Sequence, residues 1–174
     1  MTLIKTVLPE KAQGDIKKGY DQFLDRGVKV PDPFRLLSAS TGIFNIMVKR
    51  NQYYSNHPNL SYSLLAHIRY FVSTKLNFKF CSQHNRNLLL MQGLDENAID
   101  AMGLDPDKSM LEENEQLMAK FVLNAMESPE AITKRDINIL NKAGWKDSDI
   151  FDALVQGVGM IDHDILMKVF KPDF

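Results

Sequence analysis

The sequence predicts an all-α protein, a bundle of seven to eight helices joined by short connectors. Apolar residues recur every three or four positions along most of the chain, which is typical of amphipathic helices. No two segments of alternating polar and apolar residues flank a hairpin turn, so we expect no sheet. Glycines follow several of the periodic segments, where glycine commonly ends a helix: Gly27, Gly93, Gly103 and Gly144.

The N-terminal third contains two predicted helices and two connectors. Pro9 suits the first turn of a helix, and this helix is expected to end at Gly27. The stretch 30–33 is a rigid connector, because residues before proline avoid the helical region. A second helix is predicted from about residue 34 to residue 48, followed by a polar loop over 51–59.

Three helices are predicted in the middle of the chain. Residues 77–79 should break the first of these, which is marked by apolar residues at helical spacing: Leu64, Ile68, Phe71, Val72 and Leu76. The next helix carries Cys81 and Asn85 on one face and ends at Gly93. A short helix follows over 96–102.

The C-terminal part begins with a predicted helix over 110–126. Thr133 with Asp136 three residues later resembles a capping box, so another helix should start there. The last helix is predicted to be long, with one apolar stripe formed by Ile150, Leu154, Val158, Ile161, Ile165 and Val169. Asp162 falls on this stripe, and a carboxylate in such a place should be paired, hydrogen-bonded or raised in pKa.

The length, net charge and hydropathy of the chain indicate its domain number, its partners and its location. With 174 residues and no long linker, the chain is expected to be one domain over 1–174. The formal net charge is −1, whereas a protein that neutralises many phosphates needs a basic excess, so nucleic acid is not an expected partner. No apolar run reaches membrane-spanning length and no signal peptide is evident, so we expect a cytoplasmic protein without a membrane partner.

Cys81 is the only cysteine. It cannot form a disulfide within one chain, and alone it cannot supply a four-thiolate zinc or iron–sulfur site. None of the histidines has a glutamate three residues before it, which excludes a four-helix di-iron site. No phosphate loop, nucleophile elbow or dinucleotide fingerprint occurs. We therefore expect neither a metal nor a cofactor.

A candidate catalytic site surrounds Cys81. The residue lies near a predicted helix N-terminus, where the helix dipole favours a thiolate. His84 and Asn85 follow three and four residues later, so both should lie one turn away on the same side of the helix. A cysteine with a nearby histidine is the minimum for an activated thiol. The alternative is an inert, packed cysteine.

Two further features lie outside that helix. His67, fourteen residues before Cys81, can reach the same site if a tight bend joins the two helices; the alternative is a partly buried, hydrogen-bonded imidazole. A metal site built from Cys81, His84 and His67 has no supporting ligand spacing. The stretch 162–164, which begins with Asp162, is a second candidate feature, with a polar notch at a subunit contact or helix end as its alternative.

Three stretches of the sequence resemble the alkylhydroperoxidase D-like family, which belongs with the carboxymuconolactone decarboxylases. Residues 76–85, with the preceding helix and Gly93, resemble the family's Cys-x-x-Cys-x-x-x-His segment. Residues 143–154 resemble its C-terminal pattern, an aromatic residue after glycine followed by an acidic helix start. Residues 12–14, with the later pair 30–31, resemble the longer, peroxidase-related branch.

The resemblance implies an all-α fold that assembles into homo-oligomers, as a dimer, trimer or hexamer. It also implies a disulfide relay, in which one thiolate attacks peroxide, a second resolves it, and a glutamate–histidine system moves protons. Carried over by position, the cysteine pair falls on Phe78 and Cys81. The histidine falls on Asn85, and the glutamate falls on Ala66, with His67 beside it. Only Cys81 is retained, so the relay cannot run within one chain.

The predicted function is the peroxidase-related thiol redox class of this family, impaired because only Cys81 of the pair remains. One alternative is a non-catalytic module that binds a small apolar or acidic molecule or serves assembly. A second is a one-cysteine enzyme, with His84 or His67 as the base. A third is a cysteine-independent enzyme that uses Asp162 and His67. Carboxymuconolactone decarboxylation is not predicted, because the sequence offers no identifiable residues for that substrate.

Overall fold

The computed structural model describes residues 2–172, and in that range it contains nine α-helices and no β-strand. The all-α prediction is therefore confirmed, with one helix more than the upper end of the predicted range. The helices are α1 Gly14–Leu24, α2 Asp32–Leu37, α3 Thr41–Ser55, α4 Tyr62–Lys75, α5 Lys79–Met91, α6 Glu96–Met102, α7 Glu113–Glu127, α8 Lys134–Lys142 and α9 Asp147–Phe170. Three short 3-10 turns begin at prolines: Pro9–Lys11, Pro106–Lys108 and Pro129–Ala131.

The helices group into two compact units. The larger unit comprises Pro58–Asp164, and the smaller one comprises the described residues before Pro58 and after Asp164. All the candidate site residues that the sequence singles out belong to the larger unit. A single domain over 1–174 stays a prediction.

The smaller unit has an aromatic core supplied by α1, α2 and α3. The rings of Tyr20 and Phe34 both pack against the ring of Phe44, with centroids 5.8 and 5.0 Å away. The Tyr20 hydroxyl donates to the Val7 carbonyl at 2.9 Å, which satisfies the polar end of a fully buried side chain. A Cβ atom at Gly19 would lie 2.5 Å from Phe44 Cζ, so the close approach of α1 to α3 requires glycine there.

The larger unit is built on α4, a helix that is buried along most of its length. The Ser61 hydroxyl caps it by accepting the Leu64 N–H at 2.9 Å. The predicted break at 77–79 is confirmed, because Asn77 has a φ of 55° in the left-handed region, which asparagine tolerates. α5 begins at the second residue after this bend and packs against α4. The predicted inner face is also confirmed, since its first four members are buried: Leu64, Ile68, Phe71 and Val72.

The first helix begins later than predicted. Pro9 opens a separate 3-10 turn, and α1 starts only at Gly14. The two intervening residues, Ala12 and Gln13, have extended backbones, so the helical hydrogen-bond ladder cannot pass through them. The prediction that a single helix runs on from Pro9 is therefore wrong.

The second predicted helix, over 34–48, is in fact two helices, α2 and α3. The Ser40 hydroxyl accepts the Ile43 N–H at 3.5 Å and starts a new helix, because a serine that caps a helix interrupts the one before it. α3 then continues to Ser55, into the loop predicted over 51–59. The helix persists there because Tyr54 is buried on its inner side while its polar neighbours face solvent.

Local start and stop signals are confirmed in the second half of the chain. α8 begins with the predicted capping box, in which an Asp136 carboxylate oxygen accepts the Thr133 N–H at 2.8 Å. α7 begins at Glu113, slightly later than the predicted start. As predicted, glycine follows the ends of α5, α6 and α8: Gly93, Gly103 and Gly144.

The long last helix is confirmed, but its predicted stripe is wrong. Four of the six residues assigned to the stripe are exposed: Val158, Ile161, Ile165 and Val169. The buried side of α9 instead carries Ile150, Ala153, Gly157, Met160, Asp164 and Met167. A Cβ atom at Gly157 would lie 2.7 Å from Val122 Cγ1 of α7, so small residues allow close packing. Both sides of α9 contain apolar residues, which is why periodicity alone selects the wrong one.

Candidate active site

Cys81 is the third residue of α5 and is 3% exposed. Its predicted place near a helix N-terminus is confirmed, and it is not part of a disulfide. No side chain caps this end of α5, because the capping position is occupied by Phe78. The thiol is thus set in the first turn of a helix but largely shielded from solvent.

Asn85 lies one turn after Cys81 on α5 and is also buried. Its side-chain amide donates to the Cys81 carbonyl at 2.8 Å. Its side-chain oxygen accepts the Nε–H of Arg69 from α4 at 3.1 Å. The amide nitrogen also lies 4.0 Å from the Met160 sulfur on α9. Asn85 therefore connects three helices at the position next to Cys81.

Sequence reasoning missed Arg69. It is the only lysine, arginine or acidic residue between Tyr62 and Thr74, on a helix whose other residues are mostly buried. A half-buried guanidinium on such a helix needs a polar partner. A single charged residue in an apolar helix therefore indicates a polar contact between helices. Its partner could not be read from the sequence, because Asn85 is on another helix.

His84 belongs to the same side of the larger unit. Its ring lies nearly parallel to the Phe80 ring, with an 11° interplanar angle and centroids 6.2 Å apart. Although part of the residue is exposed, burial of the rest lowers the pKa of His84, and the nearby charges of Arg69 and His163 lower it further. Basic groups from α4 and α9 therefore both act on this imidazole of α5.

His67 is fully buried on α4. Its Nδ1 lies 2.8 Å from the Ser63 carbonyl, so Nδ1 carries the proton in this arrangement. Its Nε2 has no hydrogen-bond partner within the described range. Burial lowers the pKa of His67, opposed by the Ser63 hydrogen bond and by the charge of Glu115 on α7. The ring is thus a neutral base with a buried, unused acceptor.

The described contacts of His67 do not join it to the Asn85 network. They run to Ser63, to Phe71 and to the charge of Glu115 on α7. Arg69 lies two residues further along α4, which is about 200° around the helix, and it bonds to α5. A role for His67 at Cys81 stays a prediction.

Asp162 occupies an exposed position on α9. The hydrogen bond expected for it is present but local, since its carboxylate accepts the His163 N–H at 2.8 Å. Its expected place on an inward stripe is wrong, because that stripe faces solvent. The buried carboxylate of this helix is Asp164, which the sequence pattern does not distinguish from its neighbours.

A small cavity of about 270 Å³ lies between the C-terminal ends of α4 and α7. Its walls are mainly apolar, with an ion pair between Lys75 and Glu127 at 3.1 Å among the lining residues. Within residues 2–172 no set of three or more histidine, cysteine or acidic side chains is arranged to hold a metal ion. Across the same residues, no helix has the length and apolar character needed to span a membrane.

Neither a protein-family model nor a curated protein matches this sequence. Solved structures do match. One is an uncharacterized peroxidase-related protein from Silicibacter sp. TM1040, with a TM-score of 0.78 at 16% identity, covering 99% of this chain and 94% of the other. Another is an alkylhydroperoxidase AhpD core, an uncharacterized peroxidase-related protein from Ralstonia eutropha JMP134. It aligns with a TM-score of 0.81 at 14% identity, covering 99% of this chain and 92% of the other.

This chain has the AhpD-core fold. The fold predicted from the resemblance is therefore confirmed, and the AhpD-core match extends over nearly the whole chain. At this level of identity the likeness concerns the fold alone. The chemistry that an AhpD-core protein carries out here has to be argued from its own side chains.

Proposed function

We propose that this AhpD-core protein belongs to the peroxidase-related thiol redox class and that its peroxidase cycle is impaired. The observation that carries the proposal is the environment of Cys81. A single buried thiol stands beside Asn85, whose side chain is held by the Cys81 carbonyl and by Arg69. By position, the family's histidine is replaced by the amide of Asn85 and its glutamate by Ala66, so neither member of the proton-transferring pair is retained.

The missing second thiol is the first reason why the peroxidase cycle is impaired. A thiolate that attacks a hydroperoxide cleaves the O–O bond, gives a sulfenic acid and releases an alcohol or water. A second thiol then displaces water from the sulfenic acid and forms a disulfide. Cys81 is the only cysteine, so in one chain this second step has no partner. An external thiol has to complete each cycle.

The side chains around Cys81 are the second reason, because they are poorly suited to proton transfer. A general acid or base works best with a pKa near the operating pH. The amide of Asn85 does not titrate, and arginine stays protonated in proteins. The Arg69 hydrogen bond orients Asn85 without giving it any capacity for proton transfer. Proton transfer to the leaving oxygen therefore falls to solvent or to His84, which makes attack on peroxide slow.

The proposal is tested by following Cys81 in the folded protein with mass spectrometry. Protein treated with hydrogen peroxide in the presence of a sulfenic-acid trap should accumulate one trapped adduct per chain, slowly, with none in Cys81→Ser. Pre-reduced protein that never forms the adduct, while the unfolded protein does, would contradict the redox part of the proposal. The non-catalytic alternatives would then remain.

We also propose, as a second role, that the chain assembles with copies of itself through the outer side of α9. Within the larger unit this side exposes Phe151, Val158 and Ile161, by 67%, 50% and 38%. Such large apolar side chains in a row on one helix favour burial against another surface. The net charge of −1 puts little electrostatic repulsion between copies.

Light scattering coupled to gel filtration tests this second role. The unchanged chain should elute as an oligomer, and Val158→Glu should shift it towards monomer. Met91→Glu is the matched control, because Met91 is equally apolar and 84% exposed but lies at the end of α5. A monomeric wild-type chain, or equal effects of the two variants, would rule the α9 surface out. A reducing compartment such as the cytoplasm suits the proposed thiol chemistry.

A further inference from the structure

The charges of this chain are divided unevenly along the sequence. Residues 33–94 contain seven lysines and arginines and no aspartate or glutamate, whereas residues 95–174 contain seventeen acidic and eight basic residues. The net charge is therefore close to zero because a basic segment, which includes α3, is offset by an acidic segment, which includes α9. Surfaces of opposite sign on one chain allow one copy to attract another.

The outer side of α3, formed by Ile43, Ile46, Lys49 and Arg50, combines exposed apolar residues with positive charge. Ile43 and Ile46 are 50% and 60% exposed, whereas Phe44 points into the aromatic core of the smaller unit. Arg50 follows Ile46 by four residues and so lies one turn further on the same side. Lys49 is exposed, and within residues 2–172 neither cation has an ion pair.

The groups that contact α3 nearby leave this charge uncancelled. Asp15 of α1 accepts from the side-chain amide of Asn45 at 3.1 Å, and its other oxygen lies 3.5 Å from the Lys18 ammonium. The Arg50 guanidinium lies 6.0 Å from the centre of the Tyr54 ring, a contact that brings no negative charge to it. The outer side of α3 is therefore a basic, partly apolar surface.

The outer side of α9 has the same arrangement with the opposite sign. Val158 is 50% exposed, and Asp162 follows it by four residues, just as Arg50 follows Ile46 on α3. The Asp162 carboxylate is exposed and, in the described part of the chain, has no ion pair. Lys168 is the only lysine or arginine of α9, and it comes six residues after Asp162.

We propose that the outer side of α3 in one copy of the chain binds the outer side of α9 in a second copy, with Lys49 and Arg50 against Asp162. This rests on the proposed assembly through α9 and names the surface that α9 meets. Pairing two α3 surfaces, or two α9 surfaces, places like charges on both sides of the contact. The mixed pairing instead sets a guanidinium fork against a carboxylate, beside apolar neighbours that lose contact with water.

The proposal explains a carboxylate within an exposed apolar row. A charge there weakens contacts with apolar surfaces in general and selects a partner of opposite charge. Because the two contacting surfaces differ, the interface is heterologous, and each copy offers one surface of each kind. A variant with a changed α3 surface therefore still carries an intact α9 surface.

Charge reversal tests the pairing, with light scattering coupled to gel filtration as the readout. Arg50→Glu and Asp162→Arg should each weaken self-association by about tenfold or more, because each puts like charges across the contact. An equimolar mixture of the two variants should assemble again, since each then carries the charge that the other needs. The double variant Arg50→Glu/Asp162→Arg should assemble for the same reason.

Lys79→Glu is the matched control, because Lys79 is an exposed cation of the same basic segment but lies on α5. It should assemble like the wild-type chain, and circular dichroism should show that all the variants are folded. Dissociation of Lys79→Glu to the same extent as Arg50→Glu would show that overall charge, not this contact, controls assembly, and would overturn the proposal.

Other results distinguish this inference from the proposed assembly. Normal assembly of Arg50→Glu, while Val158→Glu dissociates, would overturn the α3 pairing and leave assembly through α9 intact. Failure of both the mixture and the double variant to assemble would also overturn the pairing, and a monomeric wild-type chain would reject both proposals. Sedimentation of the wild-type chain, but not of Arg50→Glu, with phosphatidylserine vesicles would assign the α3 surface to a membrane instead. The redox role is tested separately, at Cys81.

Discussion

The Nε–H of Arg69 on α4 donates to the side-chain oxygen of Asn85 on α5 across 3.1 Å. Asn85 in turn donates to the carbonyl of Cys81, at 2.8 Å. The Asn85 side chain thereby links α5, the helix that contains Cys81, to α4, the central helix of the larger unit. The same two bonds use both the oxygen and the nitrogen of the Asn85 side chain, so Asn85 serves to orient the two helices.

Asn85→Ala should lower the free energy of unfolding by about 1–3 kcal/mol, because it removes the hydrogen bond from the Arg69 Nε–H and opens space in the interior. Urea denaturation followed by circular dichroism measures the change. Asn87→Ala is the control, since Asn87 lies on the same helix but is exposed, and its side-chain oxygen accepts from Gln83 of that same helix. Equal losses in the two variants would show that the Arg69 bond contributes nothing to stability.

Gly19→Ala should destabilise the protein by about 1–3 kcal/mol, because the new Cβ would meet Phe44 at 2.5 Å and force α1 and α3 apart. Gly42→Ala should be neutral or stabilising, since that glycine lies in an exposed turn of α3 where an added Cβ would meet nothing within 4 Å. Thermal unfolding of both variants gives the comparison. A neutral Gly19→Ala would mean that the aromatic core moves without cost.

The protein should lose stability as the pH falls below about 6.5, the ordinary pKa of histidine. Burial lowers the pKa of His67 in the folded state, so the unfolded chain binds more protons in the window between the two pKa values. The free energy of unfolding therefore decreases there as the pH drops. Urea denaturation at a series of pH values measures the slope.

His67→Gln should flatten that slope. The pKa of His84 is also lowered, so His84→Gln should reduce the slope too, but less, because His84 is partly exposed whereas His67 is fully buried. A wild-type protein whose stability is constant between about pH 8 and pH 5 would refute this account of His67.

Much of the fold could be predicted because its signals are local. The bend at Asn77, the capping box at Thr133 and the inner face of α4 each depend on neighbouring residues, and each is confirmed. The orientation of α9 could not be predicted in this way. Its two sides are both apolar, and contacts with other helices, such as that of Gly157 with Val122, decide which is buried.

In the candidate site, too, the features that depend on neighbouring residues could be predicted, and those that depend on contacts between helices could not. The place of Cys81 in a first helical turn follows from the sequence nearby. The part played by Arg69 does not follow from the sequence nearby, because Arg69 bonds to Asn85, sixteen residues away on another helix. The place of His163 near His84 could not be predicted either, because periodicity selects the wrong inner side of α9. Contacts between helices, which periodicity does not encode, therefore determine the chemical character of the site.

The measurement that tests the central claim most directly is the full time course of peroxide loss, with Cys81→Ser measured in parallel. The account predicts that the wild-type chain without added thiol consumes at most about three equivalents of peroxide and stops, because its single sulfenic acid cannot be resolved and can only be oxidised further, to sulfinic and sulfonic acid. An external thiol should allow slow, Cys81-dependent turnover. Fast turnover that continues without added thiol, or that persists in Cys81→Ser, would contradict it.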